Sequence, residues 1–374
     1  MTSLGPIFAD DLARVKPGDR LRLTISAQTS DAAALAQAAL EARARGERVL
    51  VVCADPADVP RLAQEMPWFE PKLDVRPLPD WETLPYDVLS PQEELVSERL
   101  EALYRLTAPT GGADVLLTSA VTASQRLSPV SYIGANTFFF HQGEQISLTT
   151  LQKRLAAAGY ANVKQVLAAG EFAVRGSIVD VFPMGSERPF RLDFFDDEIE
   201  SIRWFDVDTQ RSMESAEEIR LLPGHEFPVD PEALLAFRQR WRREFAGDPK
   251  KSIVYCDIEK EILPPGIEYY LPLFFDETAA LTDYLPPNAR VFLLGDIEVA
   301  LQAFGRDMAS RYKVLAADPQ RPALAPERIW LKPEEFFKSL ANFARFTVEK
   351  KENAEDLKRL TGIEVDRKSQ NPVG

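Results

Sequence analysis

Apolar residues follow three successive rhythms along this chain. In the first third, short continuous apolar runs alternate with stretches where apolar residues recur every three or four positions. Leu21-Arg22-Leu23-Thr24-Ile25 reads as a strand, followed by the loop Ser26-Ala27-Gln28-Thr29-Ser30 and a helix from Asp31 to about Arg45, closed by Gly46. The run Val49-Leu50-Val51-Val52-Cys53 predicts a buried strand ended by Asp55-Pro56. A helix is expected near 57–66, and prolines punctuate 78–85. Ser90-Pro91-Gln92-Glu93 has the form of a helix start with Ser90 as N-cap. Val96, Leu100 and Leu103 then share one face of a helix running to about Leu106, and 114–118 is a further buried strand. This alternation predicts a parallel sheet covered on both faces.

The rhythm changes after about Tyr132. A helix with Leu148, Leu151 and Leu155 on one face ends near Gly159, and period-two strands follow. These cover 172–175, 177–181, 190–194 and 199–205, the last two separated by Asp196-Asp197. The pattern predicts an antiparallel meander in a small α+β domain. Beyond about Gly224 the α/β rhythm returns, with helix over 231–244, strand over 291–295, helix over about 297–311 and helix again over 333–346. The expected organisation is one discontinuous α/β domain, residues 1–135 and 224–350, interrupted by an α+β domain at 136–223. Residues 351–374 read as a linker, so the chain is expected to be the front piece of something longer.

Composition narrows the functional classes. The 374 residues are 45% hydrophobic and 10% aromatic, as in an ordinary globular protein. With 44 Lys+Arg against 58 Asp+Glu, the net charge of −14 repels phosphate backbones and argues against non-specific nucleic-acid binding by this piece alone. Cys53 and Cys256 belong to no CxxC or Cys/His cluster, and Cys53 lies inside an apolar run as a buried free thiol would. No structural metal is expected. The first residues carry early acids and no apolar segment of signal-peptide type, and no apolar stretch is long enough to span a membrane, so a reduced cytoplasmic setting is expected. His141 and His225 fit no triad or metal pattern, and no catalytic constellation stands out.

The strand–loop–helix over 21–45 is where a phosphate-binding loop would sit. Such a loop needs glycines whose N–H groups wrap the phosphates, a lysine for the β/γ-phosphates and a Ser/Thr for magnesium. Ser26, Ala27, Gln28, Thr29, Ser30 and Asp31 supply neither glycine nor lysine, and Asp31 sets a negative charge at the helix end that should face phosphate. Such an acid can cap the helix instead. The strand over 291–295 ends in Asp296-Ile297-Glu298, like a magnesium-binding strand end whose two acids are separated. The expected fold is thus a degenerate P-loop-like, RecA-like parallel-sheet domain with no nucleotide cofactor.

Several strings carry a more specific likeness. Asp80-Trp81-Glu82-Thr83-Leu84-Pro85-Tyr86-Asp87, Gly170-Glu171-Phe172-Ala173-Val174-Arg175-Gly176, Phe182-Pro183-Met184-Gly185-Ser186-Glu187, the run from Arg191 to Ile199 and Pro264-Pro265-Gly266-Ile267-Glu268-Tyr269-Tyr270 together resemble the N-terminal region of bacterial transcription-repair coupling factors. The likeness covers roughly 15–345. The same region is similar to the first two domains of the excision-repair subunit UvrB, but its phosphate loop is degenerate, and between Tyr86 and Ser90 there is no room for UvrB's long aromatic hairpin. The resemblance implies a UvrB mimic that keeps the partner-binding domain and drops ATP hydrolysis, with UvrA as the partner, recruited at stalled RNA polymerase. It also implies that a translocase motor acting on double-stranded DNA and a polymerase-binding domain lie downstream, and that a downstream domain masks the docking face. The competing reading is an active UvrB-like ATPase.

The residues themselves point to one face of the insert. Arg191 and Asp193 share a strand face that Phe195 continues, opposite Phe190, Leu192 and Phe194, and Arg175 precedes Gly176 on a neighbouring strand. Arginine and an exposed aromatic beside an acid match the composition of interaction hot spots. Arg175, Arg191, Asp193 and Phe195 are the expected UvrA contacts. Trp81 and Tyr86 are expected to pack their loop against the sheet.

Overall fold

A computed structural model describes residues 14–26, 31–108, 112–351 and 365–366. The first stretch runs β1 (Arg20–Ser26), α1 (Asp31–Ala44), β2 (Val49–Cys53), α2 (Asp58–Phe69), β3 (Val75–Pro77), α3 (Glu93–Thr107) and β4 (Val115–Ser119), then two short helices, α4 (Ala120–Ser124) and α5 (Val130–Ala135). α3 begins after Gln92 rather than at Ser90, whose hydroxyl is drawn away to Glu268 Oε2 at 2.9 Å while accepting the Gly266 N–H at 3.0 Å. Tertiary hydrogen bonds compete directly with capping for a serine hydroxyl.

The middle stretch holds β5 (Phe138–His141), α6 (Leu148–Ala157), β6 (Ala161–Asn162), β7 (Glu171–Arg175), β8 (Ile178–Val181), β9 (Phe190–Phe195), β10 (Glu198–Phe205), β11 (Ser212–Ala216) and β12 (Glu218–Leu221). Strands β6 to β11 form one sheet in sequential order, antiparallel except between β6 and β7. β5 and β12 pair separately as a two-stranded ribbon that closes the stretch on itself. This ribbon escapes sequence reading because its two strands lie far apart in the chain.

The last stretch comprises α7 (Pro231–Glu244), α8 (Ile253–Glu259), β13 (Arg290–Leu294), α9 (Ile297–Leu315), α10 (Pro326–Ile329), α11 (Pro333–Ser339), β14 (Ala344–Lys351) and β15 (Val365–Asp366). The helix expected over 333–346 stops at Ser339, and its last three positions, 344–346, open strand β14, hydrogen-bonded between β1 and β13. Ala344, Phe346 and Val348 alternate onto a buried face there, a period-two signal that sheet pairing reinforces. The large sheet has the order β15-β1-β14-β13-β2-β4-β3, parallel but for β15. Strands from both ends of the sequence therefore share one sheet.

One face of that sheet, with Leu21, Val51, Phe292 and Phe346, packs on α1 and α2. The other, with Leu50, Val52, Val291 and Leu293, shares a continuous core with α3 and with Phe172, Leu192 and Ile202 of the antiparallel sheet. Trp81 joins a third, aromatic-rich core with Phe237, Trp241, Tyr255 and Phe274 rather than packing on the sheet. Cys53 is free and buried, and burial pushes its thiol up to about 12. Among the described residues no helix is long and apolar enough to cross a membrane.

Candidate protein-docking face

A cleft of about 820 Å³ opens at the C-terminal ends of β2 and β13 and along β1 and β14, bordered by Arg20, Arg22, Asp55, Asp58, Asp296, Glu298 and Glu349. Ligands of parallel α/β sheets bind in such crevices. Ala27, Gln28, Thr29 and Ser30 of the expected phosphate loop lie outside the described residues, but both flanks are clear. Ser26 ends β1, and Asp31 opens α1 with its carboxylate turned onto the Ala32 N–H at 3.0 Å. Asp31 is buried and gripped by Arg61, whose Nη1 and Nη2 donate at 3.0 and 2.8 Å. The positive end of the helix thus faces its own carboxylate. Asp296 follows the end of β13 and caps α9 by accepting the Val299 N–H at 3.0 Å, and Glu298 accepts from Gln302 within the helix at 3.1 Å. Among the described residues no cluster of three or more His, Cys, Asp or Glu is arranged to hold a metal ion.

The two histidines are engaged locally. His141 Nδ1 lies 3.2 Å from Glu218, and His225 stacks on Phe227, with burial lowering its pKa to about 4.

The outer face of the antiparallel sheet has a different character. Register sets Asp180 beside Arg191 and Ile178 beside Asp193 across β8 and β9, and Ser201 beside Asp193 across β9 and β10. Since side chains alternate between faces, Arg175, Asp180, Arg191, Asp193 and Phe195 all lie on this side. Arg191 donates from Nε and Nη2 to the two oxygens of Asp180 at 2.7 and 2.9 Å, a bidentate pair. Its Nη1 donates to the Gln210 carbonyl at 3.2 Å and its guanidinium lies 5.0 Å over the Phe205 ring. Arg175 reaches the same carboxylate at 3.8 Å while its side chain stays 49% exposed. Asp193 accepts from Ser201 Oγ at 2.9 Å, and Phe195 is 69% exposed at the β9–β10 turn, where Asp196 takes φ +51°.

The structure thus brings the four sequence-predicted residues onto one face but divides their character. Arg175 and Phe195 reach into solvent. Arg191, with a side chain only 16% exposed, braces the sheet. The residue that sequence reading missed is Asp180, 1% exposed, which organises both arginines. Its signal was a lone acid inside the apolar strand Ile178-Val179-Asp180-Val181.

Residues 138–227, which contain this sheet, match the UvrB interaction domain family. The face just described lies inside the matched residues. Over 79% of its length the chain is 42% identical to the transcription-repair-coupling factor of Escherichia coli (strain K12), and over 80% it is 40% identical to that of Haemophilus influenzae. The corresponding protein of Bacillus subtilis is 32% identical over 54% of the chain. The chain is a homologue of the transcription-repair-coupling factors. It spans about a quarter of these relatives' length, 26% and 27% for the first two.

Proposed function

We propose that this chain is the UvrB-like module of a transcription-repair-coupling factor and that it recruits UvrA in transcription-coupled nucleotide excision repair. The observation that carries the reading is the outer face of the antiparallel sheet, where exposed Phe195 and Arg175 stand beside an Arg191–Asp180 pair fixed in advance. A rigid aromatic and an arginine held by a buried acid make an anchor that loses little conformational freedom on binding. Arg175, Arg191, Asp193 and Phe195 are the proposed contacts, with Asp180 as their support.

In this reading the large sheet is a degenerate RecA-like, P-loop-like domain built from residues 1–135 and 224–350, a scaffold without ATP hydrolysis, and 136–223 is the UvrA-binding domain. Residues 351–374 lead toward the ATP-dependent translocase of the whole protein, which acts in the cytoplasm on RNA polymerase and double-stranded DNA. Another domain of that protein covers the docking face until it is needed. The cleft, where five carboxylates outnumber Arg20 and Arg22, and the Asp31–Arg61 pair support the scaffold role, because a nucleotide's phosphates would meet an excess of negative charge. Calorimetric titration of purified UvrA into this chain tests the proposal. Saturable binding that Phe195→Ala weakens is expected, and absence of binding at micromolar concentrations would overturn it.

A further inference from the structure

Residues 82–90 form a loop whose backbone is fixed where residues with side chains seldom go. Glu82 has φ +54° and Tyr86 φ +65°, and such strain persists only where surrounding structure over-determines it. The anchors are visible. Tyr269 Oη donates to the Leu84 carbonyl at 3.0 Å, Tyr86 Oη donates to the Leu324 carbonyl at 2.9 Å, and Ser90 Oγ accepts the Gly266 N–H at 3.0 Å. Gly266 is itself required, since with φ +78° a Cβ there would come within 2.6 Å of the Asp87 carbonyl oxygen.

What this rigid loop displays is apolar. Leu84, Val88 and Leu89 are 59%, 50% and 59% exposed, whereas Trp81 just before them is 3% exposed. Three apolar side chains held in solvent on one anchored loop are the kind of surface that a partner covers. The chain that forms it and follows it is acidic. Residues 82–98 include Glu82, Asp87, Glu93, Glu94 and Glu98 and no lysine, and the first arginine after the loop, Arg99, is buried on Glu226. Burial, and then the neighbouring acids Glu171 for Glu93 and Glu82 for Glu98, hold the carboxyls of Glu93 and Glu98 above the ordinary range. Arg321, which borders the crevice beneath Val88, is directed at the Pro265 carbonyl at 2.9 Å.

We infer that the 82–90 loop is a second docking surface, separate from the Phe195 face, which takes a basic protein segment carrying an apolar stripe. Aliphatic side chains of the segment cover Leu84, Val88 and Leu89, and its lysines or arginines meet the carboxylates on the α3 side.

The test is calorimetric titration of the whole chain with a short synthetic amphipathic helix peptide, leucines on one face and lysines on the other. A scrambled peptide of equal composition and a version with glutamate for lysine serve as comparisons. Saturable one-to-one binding is expected to the striped basic peptide, at least about tenfold weaker for both comparison peptides and for the Leu84→Ser/Leu89→Ser variant. That variant changes only exposed positions, and its melting temperature is expected to match the parent's. A second variant, Glu93→Gln/Glu98→Gln, leaves the loop intact and should lose affinity at low salt while converging with the parent at high salt. Equal binding of the scrambled peptide, or undiminished binding by Leu84→Ser/Leu89→Ser, overturns the inference. So does a concentration-dependent mass of the chain alone that the same variant abolishes, since the occupant is then a second copy.

Discussion

Arg99, on α3, donates from Nε at 2.5 Å and from Nη2 at 3.2 Å to Glu226, 127 residues further along the chain. Both side chains are shut off from water, at 0% and 3% exposure. Trp81 Nε1 donates to the same carboxylate at 3.2 Å, and Arg99 Nη1 to the Pro79 carbonyl at 2.7 Å. The pair locks the first α/β stretch to the segment that leaves β12. Removing one member strands the other as an uncompensated buried charge. Arg99→Met is therefore expected to lower stability by about 3–5 kcal/mol, and Arg99→Met/Glu226→Leu by clearly less. Urea denaturation of both variants measures this. A double variant as unstable as the single one would show that the loss comes from packing and not from the pair.

Phe195→Ala separates binding from folding. The ring is 69% exposed, so its removal should leave the melting temperature unchanged. Affinity for UvrA should fall by about 2 kcal/mol, roughly 30-fold. Calorimetry showing parental affinity would remove Phe195 from the proposed interface.

Arg191 is expected to behave differently, because it is a brace as well as a proposed contact. Arg191→Ala leaves Asp180 buried with only the longer 3.8 Å contact to Arg175. A stability loss of about 2–4 kcal/mol is expected together with weaker UvrA binding. Asp180→Asn/Arg191→Ala should recover part of the stability without recovering the binding. Chemical denaturation and calorimetry on the same preparations separate the two effects.

The cleft beside β13 gives a sharper expectation. Millimolar Mg·ATP should leave the melting temperature of the chain unchanged, since a ligand stabilises only through its affinity for the folded state. Arg61→Ala, which frees Asp31 from its ion pair, should destabilise the chain without creating ATP affinity, because the acid remains at the start of α1. A nucleotide-dependent rise in melting temperature in the parent would restore the ATPase reading.

His225 supplies a pH signature. Its folded pKa is depressed by burial to about 4 from the ordinary 6.5, so the unfolded chain takes up the proton first. Its contribution to stability is present above pH 6.5 and is lost as the pH falls toward 4. Glu268 works in the opposite sense, because burial raises its carboxyl to about 7, so its contribution declines as the pH rises from 4.5 to 7. Comparing the parent with His225→Phe isolates the first effect. The urea midpoint of the parent should fall relative to the variant across that acidic window, and parallel curves would contradict the assignment.

Much of this molecule could be read from residue order alone, for identifiable reasons. The run Val49 to Cys53, the helix 231–244 and the alternation through Phe190–Phe195 are local signals whose period states both the element and its buried side. Arg191, Asp193 and Phe195 could be assigned to one face because a strand reverses its side chains at every residue. The absence of glycine and lysine between Ser26 and Asp31 is likewise a fact of the chain.

Tertiary structure alone decided what pairs across distance. Residues 344–351 became the strand between β1 and β13 because neighbours on both sides satisfied their backbone groups, against a reading that carried a helix through Phe346. Ser90 gave up its capping role to Glu268 and Gly266, and Asp296 took one up at α9. Above all, the sequence could show an acid within an apolar strand at Asp180 but not that Arg191 would close on it from the next strand. The energy of a buried charge depends on who stands opposite, and that is settled only when the strands align.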